Sequence, residues 1–147
     1  MPSWTDEARQ LLESQRIGHL ATADRDGAPH VVPVCYAYDE DAIYFVADEK
    51  PKRGPARALR RLRNLQVNRR AAFVVDRWDE DWSRLAWVMV RGPATVLGDR
   101  TAHATAIALL RARYPQYHHM ALDDPAAHPV VRIEAAKVTT WNATPSR

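Results

Sequence analysis

A chain of 147 residues, 46% of them hydrophobic, has the size of one domain that buries roughly 70% of the surface its unfolded form exposes, and residues 1–147 read as a single unit. No run approaches the roughly 18 apolar residues that a membrane span needs, and the acidic, amphipathic start is unlike a secretory leader, so a cytoplasmic protein with no membrane partner is expected. The single cysteine excludes an internal disulfide framework, and the net charge of +3 conceals a local excess: residues 50–70 hold nine Lys or Arg and no acid, leaving 12 basic against 18 acidic side chains elsewhere.

In chain order, "SWTDEARQLLESQ" puts Ala8, Leu11, Leu12 and Gln15 on one face, which predicts a short amphipathic helix capped by Ser3 or Thr5. The segments "RIGHLATA", "APHVVPVCYAYD" and "AIYFVA" are rich in β-formers and separated by the turn sequences "DRDG" and "DED", so three antiparallel strands follow. In the second, Val32, Val34, Tyr36 and Tyr38 share one face, and Val31, Pro33, Cys35 and Ala37 the other. Cys35 is expected to be a packed thiol in a strand. The basic segment then predicts a helix from Ala56 to about Val67, with Pro55 in its first turn and Ala58, Leu59, Leu62 and Leu65 in one stripe. "RAAFVVDRW" and "RLAWVMVRGPATVL" are strands joined at "DEDW", the second bent at Gly92-Pro93. "TAHATAIALLRARY" is a helix, and "VVRIEAAKVTTWN" is a last strand. The order α-βββ-α-ββ-α-β predicts a six-stranded antiparallel barrel with peripheral helices, mainly β within the α+β class.

Side-chain chemistry is sparse. The six histidines are scattered and lack metal-ligand spacing, so no metal site is expected, and there is no nucleophile elbow, P-loop or dinucleotide fingerprint. Asp79, Glu80 and Asp81 read as a solvated turn, and Trp78, Trp82, Trp87 and Trp141 as core or subunit-interface residues. The basic segment stands apart because a solvated helix face normally mixes both signs. Lys50, Lys52 and Arg53 lie just before the expected helix start, where free N–H groups and the helix dipole favour an anion, a phosphate above all. Nucleic acid is the weaker partner, since the segment has no aromatic residue on which bases could stack.

The chain resembles the pyridoxamine 5′-phosphate oxidase-like (PNPOx-like) split β-barrel flavoproteins and their deazaflavin-dependent relatives. The resemblance rests on Ala21-Thr22, the Asp26-Gly27 turn, His30 to Val34 as an H-x-x-P-V strand, and Asn64-Leu65 with Asn68. Arg69 departs from the pattern, which usually has proline there. Lys50-Pro51-Lys52, and Asp76 followed by Trp82 in a slightly longer turn, are similar to the actinobacterial-type subgroup of coenzyme F-420-dependent enzymes. The resemblance implies a homodimeric, FMN-binding-type split barrel with the cofactor in a groove between subunits. It also implies that Lys50, Lys52, Arg53, Arg60 and Arg61 bind the cofactor phosphate, that His30, Val32, Pro33 and Val34 lie against the ring system, and that Trp82 belongs to the site. The implied activity is hydride transfer from reduced F-420 to an unsaturated or quinone-like small molecule. FMN, in an oxidase or flavin carrier, is the alternative cofactor, and a non-enzymatic module binding an anion or nucleic acid is a further alternative. No catalytic side chain is identifiable.

Overall fold

The computed structural model describes residues 4–48 and 59–144. Helix α1 (Asp6–Ser14) is capped as expected by Thr5, whose Oγ1 accepts from the Ala8 N–H at 3.1 Å, and it buries Ala8, Leu11 and Leu12. Strands β1 (Gly18–Ala23) and β2 (Pro29–Val34) form a hairpin around Gly27, whose φ of 85° is the left-handed conformation that glycine adopts without strain. Cys35 and Tyr36 then break the extended run, so β3 (Ala37–Tyr38) pairs with β4 (Ala42–Val46) rather than continuing β2. All five residues of β4 are buried. Its Ile43 and Phe45 join the main core, while Ala42, Tyr44 and Val46 pack under a helix, which is why this strand lacks polar alternation.

Helix α2 (Arg60–Val67) starts four residues later than the periodicity predicts. Leu59 is extended (φ −60°, ψ 138°) and packs against the core, and its carbonyl accepts from the Leu62 and Arg63 N–H groups, so the first turn of this helix forms around Leu59. Pro55 and most of the run before the helix lie outside the described residues. Strands β5 (Arg70–Arg77) and β6 (Ala86–Val96) are long, and a short 3-10 turn over Trp82–Arg84 lies between them. Helix α3 (Arg100–Arg113) is capped by Asp99, and the chain closes with β7 (Val130–Glu134) and β8 (Lys137–Asn142). The expected last strand is therefore two, divided at Ala135-Ala136, and with the β2–β3 break the six expected strands become eight.

The strands run in the order β2-β1-β5-β6-β7-β4-β3, with β8 paired to β6. Strand β6 belongs to both halves: residues 86–91 pair with β8 and residues 94–96 with β7. The corner between them is Gly92-Pro93, the bend its sequence predicts. The result is an antiparallel sheet that folds over without closing, as in a split barrel, around Leu20, Phe73, Val75, Val88, Val90 and Ile133. Helix α3 covers a second cluster that includes Ile107, Leu110 and Tyr117.

Candidate functional site

Strand alternation divides the β2 residues. His30 is paired with Thr22 and Val32 with Leu20, so His30, Val32 and Val34 face the barrel and α2, whereas Val31 and Pro33 face outward with Ala21 and His19. Val34 is buried and Val32 packs on the core, which leaves His30 as the polar group on the inner side. Its Nδ1 is buried with no hydrogen-bond partner among the described residues. Beside it, Asn64 of α2, 2% exposed, donates from Nδ2 to the Thr22 Oγ1 at 3.0 Å. The helical wheel places Asn64 opposite the apolar stripe, and this bond, which fixes the basic helix against β1, explains why it is buried all the same.

The arginines of α2 separate by direction. Arg60 is exposed and lines a hollow of about 410 Å³ with Arg63, Arg25, Asp24 and Asp26. The Asp24 Oδ1 already accepts from the Asp26 and Ala28 N–H groups. Among the described residues, Arg25, Arg60 and Arg63 form no ion pair. Arg61 is half-buried: desolvation lowers its pKa, and nearby Asp48 and Tyr117 pull it back up. Its Nε is buried with no hydrogen-bond partner among the described residues. Tyr117, from the turn after α3, donates its hydroxyl to the Asp48 Oδ2 at 2.5 Å. Burial raises the Tyr117 pKa, and the bond to Asp48 raises it further.

Lys50, Lys52 and Arg53 lie outside the described residues. Trp82 is 67% exposed and follows the far end of β5, roughly 25 Å of extended chain from Arg70. Within one chain, Arg60 and Arg61 lie in the first turn of the basic helix, His30 is paired with the Thr22 that holds Asn64 at mid-helix, and Trp82 follows the opposite end of β5.

Sequence reasoning missed a second concave feature. A groove of about 780 Å³ opens where β1, β5, β6 and β8 run side by side, lined by Ala21, Ala72, Arg69, Arg70, Arg91 and Lys137 among others. Strand register was the signal, since Arg91 and Lys137 become neighbours only once β8 is paired with β6.

The chain matches the sequence pattern named Pyridoxamine 5′-phosphate oxidase over residues 4–142. It is 31% identical to a 5a,11a-dehydrotetracycline/5a,11a-dehydrooxytetracycline reductase of Streptomyces rimosus, over 94% of this chain and 82% of that protein. Among solved structures, a conserved hypothetical protein of Mycobacterium tuberculosis superimposes with a TM-score of 0.73 at 22% identity, covering 99% of this chain and 92% of the other. A protein described as an F420 reductase does so with a TM-score of 0.63 at 22% identity, covering 92% and 98%. With the match to the pattern spanning almost the whole split barrel, the chain belongs to the pyridoxamine 5′-phosphate oxidase family.

Proposed function

We propose that the protein is an oxidoreductase that takes a hydride from reduced coenzyme F-420 and delivers it to an unsaturated or quinone-like small molecule. The observation that carries this reading is the alignment over 94% of the chain with a reductase. The residues fit such a cofactor: among the described residues Arg60 and Arg63 are cations without an ion pair beside a hollow, and the His30 Nδ1 is a buried polar atom without a hydrogen-bond partner. In this proposal Arg60, with Lys50, Lys52 and Arg53, binds phosphate, and Arg61 orders the helix start through Asp48 and Tyr117. His30 offers a hydrogen bond to the polar edge of the ring system, with Val32 behind it. When bound, a reduced deazaflavin supplies the hydride itself, so the protein's tasks are orientation and exclusion of water.

A homodimer completes the proposal. Toward the Trp87 end of β6, away from Arg91, the outer sheet face carries Trp141 at 44% exposure, with Val74, Trp87 and Met89 half-buried beside it. Burying that face against a second copy would cover the apolar surface and bring a second chain's residues toward the site. FMN is the second reading, because the hollow with Arg25, Arg60 and Arg63 suffices for a single phosphate.

Two variants test the division of labour among the arginines. Arg60→Ala should weaken F-420 binding by about 1.5–3 kcal/mol, the range for a hydrogen bond to a charged group, and leave the melting temperature unchanged. Arg61→Ala should lower the melting temperature, since it removes a half-buried cation facing Asp48 and Tyr117. Calorimetric titration and thermal melts of both variants read this out, and sedimentation reads the dimer. Unchanged F-420 affinity in Arg60→Ala would remove the helix from the site, and a monomer at micromolar concentration would defeat the shared seam.

A further inference from the structure

We infer that the groove between β1, β5, β6 and β8 is a second binding site, for a small organic acid with a flat apolar body, separate from the hollow at the start of the basic helix. Its floor is made of small residues: Ala21 and Ala72 are cross-strand partners, Ala23 and Gly92 adjoin them, and Pro29 and Pro93 flank them. Larger outward-facing residues on the same sheet, Val74, Met89 and Trp87, stand in the neighbouring rows, so the surface is hollowed where the alanines lie. A planar ring system fits such a floor, and about 780 Å³ is the volume of an ordinary small-molecule site.

The rim supplies the charge. Arg69, Arg70, Arg91 and Lys137 line the groove, and no acidic residue does. None of the four side chains forms an ion pair among the described residues. Arg91 and Lys137 are direct cross-strand partners, which places their Cβ atoms about 5 Å apart. Like charges in that position destabilise a sheet, and an anion bound between them removes the repulsion. This arrangement also divides the basic segment of the sequence. Arg60 and Arg63 serve one hollow, Arg61 turns inward, and Arg69 and Arg70 belong to the groove with two cations from distant strands.

The probe is anilinonaphthalene sulfonate, a planar aromatic anion whose fluorescence rises on binding, compared with the uncharged phenylnaphthylamine. The inference predicts saturable binding of the sulfonate to the full chain, at least about tenfold weaker in Arg91→Ala/Lys137→Ala. Affinity should be unchanged in Arg100→Ala, an exposed cation on α3, and the uncharged probe should not distinguish the double variant from the parent. If the alanine pair melts early, Arg91→Gln/Lys137→Gln keeps the stems and should show the same loss. Equal sulfonate affinity in the parent and in a folded double variant would overturn the inference. So would one-for-one displacement of the probe by F-420, which would make the groove part of the cofactor site, or a changed sedimentation coefficient with unchanged probe affinity, which would assign the four cations to a subunit contact. The titration needs no cofactor, so its result stands whether or not F-420 binds.

Discussion

Replacing Gly92 by alanine is expected to cost about 3 kcal/mol, the upper end of the range for forced overpacking, and to lower the melting temperature by roughly 6–12 °C. A Cβ on Gly92 would lie 2.0 Å from the Glu134 carbonyl oxygen, 3.1 Å from its carbon and 3.3 Å from the Ala136 Cβ. The nearest atoms are main chain, which cannot rotate aside as a side chain would. They belong to the point where β7 gives way to β8, opposite the residue where β6 passes from β8 to β7. The substitution therefore pushes the two halves of the sheet apart at their shared corner. Gly98→Ala is the matched control: nothing lies within 4 Å of its Cβ and its φ is ordinary, so stability should be unchanged or slightly raised. Thermal melts of the two variants side by side check this, and equal melting temperatures would mean that the corner is looser than its geometry requires.

Arg113→Ala should be nearly as damaging, at about 3 kcal/mol, because it removes a charged donor set from a mostly buried position. The Arg113 side chain is 10% exposed. Its Nε donates to the Tyr36 carbonyl at 2.9 Å, and one terminal nitrogen donates to the carbonyls of Leu12 and Gln15 at 3.2 and 2.9 Å, ending α1. The guanidinium also lies 4.8 Å from the centre of the Tyr36 ring and 5.6 Å from that of Tyr114. One residue at the end of α3 thus ties α1 to the β2–β3 break. Burial raises the Tyr36 pKa and Arg113 lowers it, so the hydroxyl stays a donor, giving its proton to the Leu12 carbonyl at 2.5 Å. Arg113→Lys should recover only part of the loss, since an ammonium cannot reproduce the planar fork or the ring contacts. Urea unfolding of both variants measures the difference, and full recovery by lysine would reduce Arg113 to a point charge.

Much of the fold was legible because it is written in local patterns. The cap at Thr5, the Gly27 hairpin, the bend at Gly92-Pro93 and the helix over residues 100–113 each follow from a few adjacent residues. The two strand breaks were not legible, since "VVPVCYAY" and "EAAKV" contain no residue that forbids an extended chain. Both are set by what the flanking strands pair with: β2 with β1 and β3 with β4 at the first break, β7 with β4 and β8 with β6 at the second. The start of α2 was misplaced for a related reason: periodicity places the stripe, and the packing of Leu59 chooses the first turn. For the site, the sequence singled out the basic segment but not its division, because the direction of Arg61 depends on Asp48 and Tyr117, the latter 56 positions away. Arg91 and Lys137 carried no signal at all until the register joined them.

The proposal that this protein uses F-420 is tested most directly by fluorescence anisotropy with intact F-420 and F-420 stripped of its glutamate tail, and by parallel calorimetry with FMN, at low and high salt. A run of cations that serves a phosphodiester and a row of carboxylates should bind intact F-420 more tightly than the tailless form and FMN, with affinity falling steeply as salt screens the tail. Charge reversal at Lys50, Lys52 and Arg53 should remove most of that salt dependence. Micromolar FMN binding with no measurable F-420 binding would contradict the proposal and leave an FMN protein of the same family in its place.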